Sequence, residues 1–364
     1  MPYFRPDIKA LNPYEVGRPI EDVAREHGID PASIIKLAAN ESPDGPFPGV
    51  AEAVSAMLAE SNRYPDNDLW DLSTALATEL GVDRTNLLFG NGSVAIIADL
   101  TNAVGGPGTN IVYGWPSFVM YRYAAIWSGT ELREVPLADG FVLDLDAIGE
   151  AVDENTRLVI LCNPNNPTGT LTPSADIEAF IETLPSSTIA VVDEAYFEYV
   201  EDSRYRTAIP LAVAGPRVVV VRTFSKIFGL AAHRIGYAVG HWDTLTEVRK
   251  AQQPFTVSQP AQVAALATLG QPEELRRRVE ANSAARHYLT GVIEERGLPF
   301  AESHTNFIFF RPGEDSREVS TAFTERGVIV RPTSGGWIRV TVGSAEENQR
   351  FVAVLDQVIE SITD

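Results

Sequence analysis

A single cysteine, Cys162, leaves the 364-residue chain without a partner for an internal disulfide. It lies in the apolar run LVILCNP, where a buried, inert thiol is expected. Basic residues are outnumbered: 29 Lys and Arg stand against 49 Asp and Glu, and the net charge of −20 repels nucleic acid and anionic lipid. No apolar run approaches the roughly 20 residues that a membrane-crossing helix needs. The five histidines, His27, His233, His241, His287 and His304, fall at no metal-ligating spacing, so no metal site is expected. The opening stretch MPYFRPDIKALNPYE has no basic segment leading into an apolar core, and so gives no sign of a secretory signal. Internal repeats and low-complexity tracts are missing too, which argues against a solenoid or a disordered tail. These absences predict a soluble, cytoplasmic protein with no nucleic-acid or membrane partner.

What the chain has in quantity is short apolar strands alternating with helical patterns. NLLFG (86–90) precedes SVAIIADLTNAV, NIVYG (110–114) precedes SFVMYRYAAIWSG, and TRLVILCNP (156–164) precedes SADIEAFIETL. STIAVVDEAY (187–196) and RVVVVRTF (217–224) continue the series. The alternation predicts an α/β fold built on a mostly parallel, helix-covered sheet. After about 255 the pattern changes. A long amphipathic helical stretch over 258–296, broken near Pro272, leads to TNFIFFR, a helix over 316–326, the strands GVIVR and WIRVTVG, and a last helix over 345–361. The expected organisation is a large cofactor-binding domain over 48–255 and a smaller α+β domain formed by 256–364 with an irregular N-terminal arm, 1–47.

Several strand ends carry groups suited to chemistry. In LLFGNGSVAII, Gly90-x-Gly92-x-x-Ala95 fits a dinucleotide fingerprint, but the next strand ends in IVYGWPSF, with no acid for a ribose. Free N–H groups of Gly92, Ser93 and Val94 at a helix start suit a single phosphate dianion instead, although a plain tight turn explains the motif equally well on its own. NPNNPTG (163–169) either builds a rigid turn or offers asparagine amides to an oxygen above the sheet. Asp193 follows four apolar residues in AVVDEAY, where a carboxylate needs a cation or donors; an N-cap is the simpler role. RTFSK places Thr223, Ser225 and Lys226 at a further strand end, and Arg234 follows eight residues later. A lysine at the carboxyl end of a parallel strand is a candidate covalent nucleophile. Pyridoxal phosphate needs this combination: a lysine for its aldehyde, a carboxylate for its pyridine nitrogen, and a helix N-terminus with an arginine for its phosphate.

On these motifs the sequence resembles, nearly end to end, a fold-type-I pyridoxal-phosphate aminotransferase of the branch containing histidinol-phosphate and aromatic (phenylalanine) aminotransferases. The resemblance implies that Lys226 in TFSK is the Schiff-base lysine and general base, and that Asp193 in DEAY pairs with the pyridine nitrogen. It implies that Asn166 in NPTG and Tyr196 donate to the phenolic oxygen. Ser93, Ser225 and Arg234, with the backbone of Gly92 and Val94, would hold the phosphate, Thr223 would lie beside it, and Phe118 in WPSF would stack on the ring. Tyr64 in NRYPD would reach the phosphate of the partner subunit's cofactor in a homodimer. Arg339 in WIRVTVG would bind the substrate carboxylate, a planar anion suited to a guanidinium fork. Asn40 in AANESPDGP belongs to the N-terminal active-site segment, and Phe118, Trp115, Tyr14 and Trp337 would wall an apolar substrate cavity with Arg331 as a second cation.

The motifs divide on substrate. GSVA (92–95) stands where histidinol-phosphate enzymes usually read GSDE, and GWPSF (114–118) and RPTSGGWIR (331–339) are closer to the aromatic enzymes. MYR (120–122) and NPYEVGRP (12–19) look more like the histidinol-phosphate type. The expected reaction is amino transfer from an aromatic amino acid to 2-oxoglutarate, in two half-reactions. Histidinol-phosphate aminotransferase is the alternative. A decarboxylase or lyase would use the same cofactor and scaffold, but a carboxylate clamp at Arg339 favours breaking the Cα–H bond. A silent binding protein would have no use for the lysine, aspartate and arginine together.

Overall fold

The computed structural model describes residues 3–14 and 17–363. Its strands, numbered along the chain, are β1 (Ile35–Lys36), β2 (Leu87–Gly90), β3 (Asn110–Trp115), β4 (Glu131–Pro136), β5 (Thr156–Cys162), β6 (Ile189–Asp193), β7 (Val218–Thr223), β8 (Gly236–Gly240), β9 (Phe307–Phe310), β10 (Val328–Ile329), β11 (Arg331–Pro332) and β12 (Ile338–Thr341). Seven of them form one sheet in the order β2-β8-β7-β6-β5-β3-β4, in which β8 alone runs against the rest. The expected mostly parallel, helix-covered sheet is therefore present.

Both faces of this sheet are dry, and the side-chain period of two sorts its residues between them. Val112, Val159, Leu161, Val192 and Val220 point into one apolar layer, whereas Ile111, Leu158, Ile160, Val191 and Val221 point into the other. The strand runs read as continuously apolar for this reason. Strands β4 and β8 escaped the sequence reading. ELREVP forms the sheet edge, where charged side chains are tolerated and break the apolar pattern. GYAVG begins and ends on glycine, which resembles a turn, yet Gly236 is needed: a β-carbon there would lie 2.6 Å from the backbone nitrogen of Ser93.

Beyond the large sheet the chain packs around a separate apolar cluster that includes Leu37, Phe310, Phe323, Val340 and Phe351. Strands β11, β12 and β9 form an antiparallel sheet in that order, and β1 pairs in parallel with β10. The N-terminal segment is thereby tied to the C-terminal part. The helical stretch after 258 is two helices, Gln259–Thr268 and Pro272–Glu295, each with a proline in its first two positions, where no N–H is needed. The expected strand GVIVR is divided into β10 and β11.

Candidate active site

The carboxyl ends of the parallel strands open into a cavity of about 280 Å³. Ser93 and Val94 enter it from the start of the helix Gly92–Val104, Phe118 from the loop after β3, and Asn166 from the loop after β5. Asp193 ends β6 and Tyr196 follows it; Thr223, Ser225, Lys226 and Arg234 come from the end of β7 and the loop beyond. The opposite wall brings Tyr14 and Asn40 from the N-terminal segment, with Arg331 of β11 and Arg339 of β12. Residues more than 300 positions apart thus share one small volume.

One end of the cavity is built for a dianion. Gly92 has φ 76° and faces Arg234 so closely that a β-carbon would collide with the guanidinium. Arg234, itself in the left-handed region at φ 54°, donates from Nη1 to Ser225 Oγ at 3.4 Å and to the Ala231 carbonyl at 3.0 Å. The Ser225 amide donates in turn to Thr223 Oγ1 at 3.1 Å. Two hydroxyls, a guanidinium and a helix start therefore converge, as a phosphate requires.

Deeper in, the Lys226 amine donates to the Ala39 and Asn40 carbonyls at 3.4 and 3.3 Å. Burial, and then the charges of Arg339 and Arg234, draws this amine down to about 7, with Glu41 and Asp193 opposing. Asp193 is buried. Its Oδ2 accepts from the Tyr121 hydroxyl at 2.7 Å and its Oδ1 from the Ala195 amide at 3.1 Å. Burial pushes its carboxyl up to about 6, and these two donors resist the rise. The next residue, Glu194, is locked by Arg222 at 2.7 Å, which fixes the chain where β6 ends.

The third region centres on Arg339. Its Nη1 donates to Asn166 Oδ1 and its Nη2 to the Ala38 carbonyl, both at 2.7 Å, while its buried Nε has no acceptor among the described residues. Burial draws its guanidinium down to about 10, so it remains charged at neutral pH. Asn40, at φ 54°, donates to the Tyr196 hydroxyl at 2.8 Å. The antiparallel register sets Arg331 opposite Arg339, and the Arg331 guanidinium lies 5.7 Å from the Tyr14 ring centre.

Four expected residues stand outside the cavity lining. Gly92 acts from behind, through Arg234. Trp115 packs edge-on to Tyr113 at 6.4 Å, under the Arg122 guanidinium at 4.7 Å. Tyr64 is 82% exposed and stacks on Phe255 at 4.7 Å. Trp337, expected in the substrate wall, instead stacks on Phe309 at 4.7 Å, because β12 and β9 are neighbours. Cys162 is buried at the cavity floor, and burial raises its thiol to about 12, in keeping with an inert group. Two polar residues were missed. Tyr121 figured only in the substrate-type motif MYR, which gave no sign of its contact with Asp193. Asn306 stands directly before the apolar run FIFF, a polar boundary that was a signal; its amide donates to the Asn40 carbonyl at 3.1 Å.

This donor set fits pyridoxal phosphate: a collision-tight glycine and arginine at a helix start, a depressed lysine amine, and a buried carboxylate within one cavity. The family profile for class I and II aminotransferases matches residues 32–355. A histidinol-phosphate aminotransferase of Geobacillus sp. (strain WCH70) is 41% identical over 360 residues, covering 97% of each chain. An aromatic amino acid aminotransferase of Streptomyces coelicolor is 38% identical over 356 residues, covering 98% of this chain and 97% of its own. A solved histidinol-phosphate aminotransferase of Sinorhizobium meliloti, in complex with pyridoxal-5'-phosphate, matches with a TM-score of 0.90 at 30% identity, over 99% of this chain and 98% of that one.

Proposed function

As the chain belongs to the class I and II aminotransferases and uses pyridoxal phosphate as its cofactor, we propose that histidinol phosphate is its amino donor and 2-oxoglutarate its acceptor. The observation that carries this reading is the pairing of Arg331 with Arg339 across β11 and β12, both lining the cavity beside Tyr14. Two guanidiniums and a phenol match a phosphate dianion better than a lone carboxylate. The likeness to the Geobacillus enzyme points the same way. The expectation of an aromatic donor rested on the motifs GSVA, GWPSF and RPTSGGWIR; of the four aromatic residues expected to wall its cavity, Trp115 and Trp337 pack elsewhere. An aromatic donor remains the second reading. Phe118 still lines the cavity, the Nε of Arg339, which has no acceptor among the described residues, suits a carboxylate, and the Streptomyces relative carries that name.

Bound pyridoxal phosphate supplies a carbonyl carbon for the amine and a protonatable ring that stabilises negative charge at the substrate's α carbon. The protein's own parts divide accordingly. Ser93, Ser225 and Arg234 hold the phosphate, and Asn166 and Tyr196 face the ring's phenolic oxygen. Asp193 keeps the ring nitrogen protonated, and Phe118 covers the ring face. Lys226 Nζ would anchor the cofactor and serve as the base that takes the proton from the substrate's α carbon; an amine near 7 can both accept and return it at neutral pH. Alternating half-reactions imply ping-pong kinetics.

Arg331→Ala should separate the donors. It removes a charge-assisted contact of about 1.5 to 3 kcal/mol, so kcat/KM for histidinol phosphate should fall roughly ten- to a hundredfold while that for phenylalanine changes little. Turnover of histidinol phosphate, phenylalanine and tyrosine with 2-oxoglutarate, measured side by side, is the direct test. A wild-type preference for phenylalanine or tyrosine by about tenfold or more would reverse the two readings without touching the cofactor.

The same reading includes a homodimer in which Tyr64 reaches the partner's cofactor phosphate. The stacked, exposed pair of Tyr64 and Phe255 supports it, since such a patch suits an interface. Mixing Lys226→Ala protein with Tyr64→Ala protein at limiting cofactor should then restore about one working site per hybrid dimer. Mixtures no more active than their parents, or a fully active monomer in sedimentation, would contradict the shared site.

A further inference from the structure

We propose that Tyr121 is a positioning residue for the cofactor: its hydroxyl holds the Asp193 carboxylate ionised and aimed at the ring nitrogen, while its ring props Phe118 against the ring face. The inference rests on the proposed place of Asp193 beside that nitrogen.

Tyr121 is fully buried, and its hydroxyl donates to Asp193 Oδ2 at 2.7 Å. Its ring meets Phe118 edge-on, at 5.6 Å and 89°, and Tyr113 on another side, at 5.4 Å and 74°. The Tyr121 amide donates to the Phe118 carbonyl at 3.1 Å, which closes the turn that carries both residues. One side chain thus contacts the group assigned to the ring nitrogen and the group assigned to the ring face.

The charges around Asp193 make the hydroxyl consequential. From β5 comes the Cys162 thiol, which burial keeps neutral. Glu194, next in the chain, is neutralised by Arg222. The buried phenols of Tyr196 and Tyr205 are pushed upward and stay uncharged. Lys226 is the cation that faces Asp193 from the loop after β7, and its own amine is depressed. A buried carboxylate with so little counter-charge drifts toward its protonated form, and a hydrogen bond donated to the charged form opposes that drift. The Tyr121 hydroxyl, itself driven well above its ordinary range, remains a donor throughout.

Tyr121→Phe keeps the ring and deletes only the donor. The readout is the dissociation constant of pyridoxal phosphate from the cofactor-free enzyme, followed by quenching of tryptophan fluorescence between pH 6 and pH 9, together with visible absorption. The variant should bind the cofactor about tenfold more weakly at pH 7, and the deficit should shrink toward pH 9, where its Asp193 ionises again. With Asp193→Asn already in place, adding Tyr121→Phe should cost less than about twofold, because the hydroxyl then has no charge to hold. An equal cost in both backgrounds, flat with pH, would reduce Tyr121 to packing and overturn the proposal. If Asp193→Asn alone left binding and absorption unchanged, the placement of Asp193 would fail, and the inference with it.

Discussion

Lys226→Ala protein should bind pyridoxal phosphate only reversibly and lose nearly all turnover, by roughly ten-thousandfold or more, because on the proposed assignment one change removes both the covalent anchor and the general base. Borohydride treatment of the wild-type holoenzyme should leave the cofactor on the peptide that contains Lys226; a label on any other lysine would remove the assignment. The environment of the amine adds a pH dependence. A lysine of ordinary pKa, near 10.4, is neutral in only about one molecule in a few thousand at pH 7. One drawn down to about 7 by burial and by Arg339 and Arg234 is neutral about half the time. Only the neutral amine attacks an aldehyde. Capture of pyridoxal phosphate by the cofactor-free enzyme should therefore rise as pH increases through about 7 and level off above it. Capture that kept rising toward pH 10 would mean that the cavity does not depress this amine.

Residues at strand ends were the legible part of the site. Lys226, Asp193 and Ser93 each follow an apolar run or open a helix, and polarity at such a boundary is visible in one dimension. Arg339 and Arg331 were named through likeness to known enzymes, because the β11–β12 register that sets them face to face is a property of pairing between segments. Tyr121 was illegible for a different reason. Its ring belongs to an apolar helix, MYRYAAIWS, and nothing in that pattern shows that its hydroxyl meets an acid 72 positions later. Trp115 and Trp337 show the opposite failure. Aromatic residues close in sequence to a site look like its walls, but the pleat turns Trp115 toward Tyr113, and the neighbouring strand gives Trp337 the Phe309 ring to stack on. At the level of the fold, the apolar strands buried on both faces were readable, whereas β4 was hidden by its edge charges and β8 by its terminal glycines.

Asp193→Asn tests whether the buried carboxylate is electronic or merely structural. The substitution keeps the size of the side chain and removes its charge. The Lys226 amine is untouched, so the variant should still acquire visible absorption with pyridoxal phosphate and still take a borohydride label. On the proposed assignment it should lose the anion that keeps the ring nitrogen protonated, and with it stabilisation of the negative charge that develops at the substrate's α carbon. A loss of about 4 kcal/mol from the barrier corresponds to roughly a thousandfold in kcat, and that is the expected scale. Part of any defect could come from packing, since both oxygens of Asp193 accept hydrogen bonds, from Tyr121 and from the Ala195 amide, and an asparagine can satisfy only one of these donors with its single oxygen. The two causes separate by what survives. Both weaken cofactor binding, so the comparison is made on fully loaded enzyme. Loss of the charge there leaves the cofactor attached yet slows proton removal, so a substrate deuterated at the α carbon should show a larger isotope effect in the variant than in the wild type, which misplacement alone does not require. Near-normal turnover by a fully loaded Asp193→Asn enzyme would mean that the carboxylate serves only to terminate β6.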